Sequence, residues 1–165
     1  MAVPAIFTER EQNFLRELTR QGVDFLVVGL AAAALQGAPA VTQDIDLWFR
    51  DLADAGLRRA LDRVGGIYVP ATLSTPPMLA GKSVALFDIV LTMHGLKDFE
   101  QEAANALDLK VGRVKVRVLP LARIIASKKA ANRAKDRLVL PILEDALAAL
   151  SDKTDFRNEG PQETG

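Results

Sequence analysis

Asp44 and Asp46 stand two residues apart in the run Asp44-Ile-Asp-Leu-Trp-Phe49. With a strand's period of two, both carboxylates leave from one face, about 7 Å apart along the chain. Ile45 and Leu47 then enter the core from the other face. Two like charges on one strand face repel unless a positive charge sits between them. A divalent cation held by oxygen donors answers that need, and magnesium is the usual choice beside phosphates. Asp88 interrupts the apolar run Val84-Ala-Leu-Phe-Asp-Ile-Val-Leu91. A charge in the middle of a buried strand is costly unless paired or metal-bound. If that strand lies beside the Asp44 strand, three carboxylates converge. Such a site has room for two magnesium ions about 3.5–4 Å apart, which activate an attacking hydroxyl and steady a leaving pyrophosphate.

The elements that must position these acids are legible around them. Asp24-Phe-Leu-Val-Val-Gly29 reads as a buried strand ending at a glycine, where a ligand can approach the backbone. A short Ala-rich helix, Leu30 to Gln36, follows at once, so its free N–H groups and positive dipole end face whatever binds there. That is a phosphate-binding geometry. Gly37-Ala-Pro39-Ala turns the chain into the strand of the acid pair.

Elsewhere, Phe7 to Arg20 reads as an amphipathic helix with Thr8 and Glu11 as a capping box, and Leu52 to Val64 as a second helix. Ile67 to Val69 reads as a short edge strand, Ala71 to Lys82 as a loop, and Ser83 to Leu91 as a central strand covered on both faces. A helix is expected over Leu96 to Leu107. The alternation from Lys115 to Leu119 predicts a strand with its valines on one face. Pro120 opens a helix through about Ala131, and a last helix runs from Asp136 to Leu150, restarting or kinking at Pro141. The expected fold is α/β (α+β): a small mixed sheet of four or five strands flanked by helices, one domain over residues 1–150 with a flexible polar tail over 151–165.

Composition narrows the function. The 165 residues hold no cysteine, so neither a disulfide framework nor a thiolate zinc site is available. The start has no signal-peptide pattern and no apolar stretch reaches the roughly 18 residues of a membrane span, which predicts a cytoplasmic protein with no membrane partner. Lys plus Arg is 21 and Asp plus Glu is 21, yet the charge is uneven. From Lys110 to Arg137 ten basic residues face one acid, Asp136, a local excess of nine. This is either a set of solvated faces or an anion-facing patch for phosphate or RNA.

Here the sequence resembles the nucleotidyltransferase superfamily, in its small bacterial branch of minimal and abortive-infection-type members. The family pattern is a strand, a Gly-Gly or Gly-Ser at the helix start, a His-Gly, an Arg-x-Thr, then Asp-x-Asp and a later strand acid. Gly29, Gly37, Thr42, Asp44, Asp46 and Asp88 match it, and Lys128, Arg133 and Asp136 resemble a C-terminal Lys…Arg-x-x-Asp pattern. Leu30, Gln36 and Ala40 depart from it. The resemblance implies transfer of a nucleoside monophosphate from a nucleoside triphosphate, ATP among the candidates, to a hydroxyl on RNA, a protein or a small molecule. It implies Asp44, Asp46 and Asp88 as catalytic and magnesium-binding residues, and Gly29, Leu30, Thr42 and Lys128 as nucleotide-binding residues. It also implies a cognate partner protein, since members of this branch often act in toxin–antitoxin or defence pairs. The alternative is a catalytically impaired binding or regulatory protein on the same fold.

Among the remaining residues, Arg133 and Asp136 read as a helix-start ion pair, His94 as a loop residue and Trp48 as a packing residue. A haloacid-dehalogenase phosphatase also uses Asp-x-Asp, but places it on the first strand. An EF-hand lacks the required Gly and closing Glu here.

Overall fold

Phe25, Leu26, Val27 and Val28 form an unbroken apolar run, and all four are buried. A strand without alternation must be covered on both faces, and this one, β1 (Phe25–Val28), lies at the centre of the main sheet. The structure, a computed structural model, describes residues 3–158. The main sheet also contains β2 (Ile45–Phe49), β5 (Phe87–Val90), β6 (Leu107–Val111) and β7 (Val114–Val118), in the order β5-β2-β1-β7-β6. It is mixed: β1 runs antiparallel to β2 and parallel to β7, β2 is parallel to β5, and β6 is antiparallel to β7. A second sheet consists of β3 (Ile67–Val69) and β4 (Met78–Ala80).

Among the described residues six α-helices surround the sheets: α1 (Glu9–Arg20), α2 (Gly29–Leu35), α3 (Ala55–Val64), α4 (Phe99–Ala104), α5 (Leu121–Ala131) and α6 (Ala134–Asn158). Helix α1 packs on β7 and α3; α2 packs on β1 and β2 and touches α5, which carries α6. Phe14, Leu15 and Leu18 give α1 its buried stripe, and Phe14 meets Phe87 of β5 edge-on at 4.9 Å. Glu11 accepts from the Thr8 backbone N–H at 3.1 Å, the half of the capping box that holds the helix start. Val114, Val116 and Val118 are buried, while Lys115 is exposed and Arg117 reaches Asp24 at 3.2 Å.

Four expectations change. The segment after Ser83 begins with a 3-10 turn over Lys82–Val84, and its strand, β5, lies at the edge of the sheet rather than inside it. Part of the expected loop before it, Met78–Ala80, pairs with β3 as β4. The helix expected to reach Leu107 ends at Ala104, because Leu107–Val111 pairs with β7 as a hairpin around Gly112, whose φ is +61°. Helix α6 starts at Ala134 and continues through Pro141 to Asn158, well past Leu150; the rest of the expected tail, residues 159–165, lies outside the described residues.

Candidate active site

The pairing register does what the sequence spacing could only suggest. In the parallel β2–β5 pair Asp46 lies opposite Asp88. Residues in register on neighbouring strands point the same way, about 4.8 Å apart. Asp44, two residues before Asp46, shares that face. The three carboxylates line a cleft of about 430 Å³ with Gly29, Leu30, Thr42 and Lys128, a volume within the usual range for small-molecule sites. All seven residues singled out from the sequence therefore border one cavity. Asp88 gets there by another route than expected: it is exposed on the edge strand rather than set in the middle of a buried one.

Asp46 is the most constrained of the three. It sits opposite Val28 at the end of β1, against the start of α2. Burial, then Asp88, then Asp44 push its carboxyl up to about 6, with Lys128 and Lys135 pulling weakly the other way. Asp88 is raised too, by burial first and Asp44 second. Burial first, and the facing acids second, make these carboxylates hold their protons more tightly than free ones. The donor set is hard, all-oxygen and negative, which suits magnesium. Among the described residues, however, no three such side chains are already gathered into a metal cage. The fit lies in chemistry and placement.

Gly29 is required twice over. Its φ is +67°, and a Cβ there would lie 2.5 Å from Asp46 Oδ2. The backbone thus comes down onto the carboxylate at the helix start. Thr42 Oγ1 lies 3.2 Å from the Asp44 carbonyl oxygen and 3.3 Å from its N–H, a local turn that holds Asp44 at the mouth of the cleft.

The opposite wall is basic and comes from the end of α5 and the start of α6. Asp136 is fully buried there. It accepts from Arg133 Nε at 2.7 Å, from the Arg133 backbone N–H at 3.1 Å and from Lys128 Nζ at 3.4 Å. The Arg133 hydrogen bonds outweigh the cost of burial and hold its carboxyl down to about 2. Arg133 and Asp136 are the helix-start pair expected from their spacing, and Lys128 belongs to the same cluster.

Sequence reasoning missed two ionisable cleft residues. His94, read as a plain loop residue, lines the cavity, as does Lys135. No local pattern marks His94: the chain from β5 folds back against α5, where Gly95 (φ +70°) would place a Cβ 2.5 Å from Ala130. Lys135 had a signal, its place in the first turn of a helix beside Asp136. Gln36 moves the other way. It is buried, donating to the Ala32 and Leu119 carbonyls at 3.0 and 2.9 Å and accepting from the Leu121 N–H at 2.8 Å. It ties α2 to α5 and does not border the cleft.

No protein-family model matches the sequence, and no curated protein matches it. Solved structures do match in shape. The crystal structure of ANT(2'')-Ia in complex with adenylyl-2''-tobramycin superposes with a TM-score of 0.57 at 14% identity, covering 87% of this chain and 90% of that one. The solution structure of the antibiotic-resistance factor ANT(2'')-Ia gives 0.55 at 14% identity, covering 90% and 93%. The fold is that of the nucleotidyltransferases. At this identity the likeness speaks for the fold, and the chemistry must be argued from the cleft itself.

Proposed function

We propose that this protein is a magnesium-dependent nucleotidyltransferase that moves a nucleoside monophosphate from a nucleoside triphosphate to a hydroxyl acceptor. The observation that carries the reading is the in-register pair Asp46–Asp88 with Asp44 beside it, facing a basic wall across one cleft. Asp44, Asp46 and Asp88 are the residues that would hold the metal, which supplies Lewis-acid polarisation of the phosphates and neutralisation of their charge. The α2 N–H groups beyond Gly29 donate to phosphate oxygens, and Leu30 contributes its backbone there. Lys128 lines the same cleft and adds to the positive charge of the wall that would face the pyrophosphate. Asp88, exposed and raised in proton affinity, is the acid of the three best placed to take the acceptor's proton.

For the acceptor, a small polyhydroxylated molecule suits the cleft better than RNA. Six of the ten basic residues in the 110–137 segment are engaged by acids: Lys115, Arg117, Arg123, Lys128, Lys129 and Arg133. Little of the local excess is left to meet a polyanion. The structural likeness to a protein crystallised with an adenylylated tobramycin supports the same choice. A second reading, a nucleotide-binding regulatory protein without turnover, is favoured by Leu30 at the cleft and by the ungathered carboxylates.

Thermal unfolding with each ribonucleoside triphosphate, with and without magnesium, tests the reading without an acceptor. A nucleotide at 100 times its dissociation constant should add about 2.7 kcal/mol, a shift of a few degrees. The expected result is stabilisation that needs magnesium and is lost in Asp46→Asn. No stabilisation by any nucleotide would remove the proposal.

A further inference from the structure

Two lysines border the acid cleft, and they are not equivalent. Lys128 is half-buried near the end of α5, with its ammonium 3.4 Å from Asp136 Oδ1. Asp136 has no exposure at all, so part of the Lys128 charge balances a carboxylate that water cannot reach. Arg133 shares that carboxylate through its side chain and backbone N–H. The two cations of this cluster are therefore committed to Asp136.

Lys135 is different. It is exposed, borders the same cleft and forms no ion pair among the described residues. It lies in the first turn of α6, between Arg133 at the helix start and Asp136 three residues on. The Arg133–Asp136 bonds are the lock of that turn: the acid at the third helical position accepts from the backbone N–H of the residue before the helix. A locked turn presents the Lys135 side chain from a rigid base, at the helix end where the backbone dipole also favours anions. A free lysine ammonium on a four-carbon stem is a mobile point charge able to follow a phosphate.

We propose that Lys135 is the principal phosphate-contacting cation of the cleft, that Asp136 positions it by locking the α6 start, and that Lys128 serves chiefly as the counter-charge of Asp136. The inference rests on the nucleotide-binding reading above and specifies which side chain meets the triphosphate.

The test compares Lys135→Met, Lys135→Arg and Lys128→Met by direct titration with magnesium and ATP, CTP, GTP or UTP, alongside their melting temperatures. Lys135 is exposed, so Lys135→Met should melt within a degree or two of wild type. Its nucleotide dissociation constant should rise about tenfold or more, the loss of one charge-assisted hydrogen bond, with a shallower salt dependence. Lys135→Arg should recover most of the affinity. Lys128→Met should instead lower the melting temperature by several degrees, because it strips a buried carboxylate of a partner, and should weaken binding less than Lys135→Met. If Lys135→Met binds as wild type does, or Lys128→Met alone abolishes binding without loss of stability, the assignment is overturned while the nucleotide site stands. If wild type binds none of the four nucleotides, the proposed function itself falls, and the assignment with it.

Discussion

Asp46 and Asp136 are both carboxylates in one small site, yet their surroundings push them in opposite directions. Burial, and after it two facing acids, push the Asp46 carboxyl up from 3.8 to about 6 in the folded chain. Between those values the folded state binds more protons than the unfolded one, so its contribution to stability falls as pH rises through that window and stays low above it. Magnesium and protons compete for the same oxygens. The stabilisation by magnesium nucleotide, read as a melting shift, should therefore be larger at pH 7.5 than at pH 5. Asp46→Asn should raise the melting temperature of the ligand-free protein at neutral pH, by about 1 kcal/mol or more in stability. Asp136, held down to about 2 by Arg133, contributes fully above pH 4 and loses that contribution as pH falls towards 2. Removing it in Asp136→Ala strands Lys128 and Arg133 and should cost about 3 kcal/mol in chemical denaturation. Gly29→Ala should be the most damaging single methyl in the site. It meets Asp46 Oδ2 and a positive φ together, so a loss of about 1–3 kcal/mol and of nucleotide-dependent stabilisation is expected.

The elements show where a local reading holds and where it does not. Helix α1 was legible because Thr8, Glu11 and the stripe of Phe14, Leu15 and Leu18 all carry the same message. Helix α5 was legible from Pro120 and the apolar residues after it. The β6 strand was not: Leu-Asp-Leu-Lys-Val follows a helix without a strong break, and only pairing with β7 makes it a strand. The full length of α6 is not legible, because Pro141 and a polar C-terminal stretch both argue against a continuous helix. Gln36 belongs at this scale too. In the sequence it is a departure from the family pattern; in the fold it is a hydrogen-bonded pin between α2 and α5 and concerns assembly. Gln36→Leu should leave the Leu121 N–H and Leu119 carbonyl without these partners and cost about 1–3 kcal/mol, measured by urea unfolding.

For the molecule as a whole, the charge map of the sequence and that of the fold differ. A segment carrying nine excess positive charges reads, from the sequence, as either solvated faces or an anion-facing patch. Its partners, Asp24, Glu102, Asp108, Asp136 and Glu144, come mostly from other parts of the chain and absorb much of it. Among the described residues Lys110, Arg113, Lys135 and Arg137 form no ion pair, and they do not make one continuous run. RNA binding measured near physiological salt should accordingly be weak, without the steep salt slope of a protein that neutralises many phosphates.

The sequence alone determined the strand–glycine–helix–strand order around the acid pair and the shared face of Asp44 and Asp46. Chain connectivity and a period of two are local properties, and the buried β1 run admits little else. Tertiary structure decided which strand stands beside β2, that Asp88 is an edge residue in register with Asp46, and that His94 and Lys135 reach the same cleft. It also decided which cations are spent on Asp136. These depend on contacts between residues far apart along the chain, where pairing register and burial, rather than local spacing, determine which side chains meet.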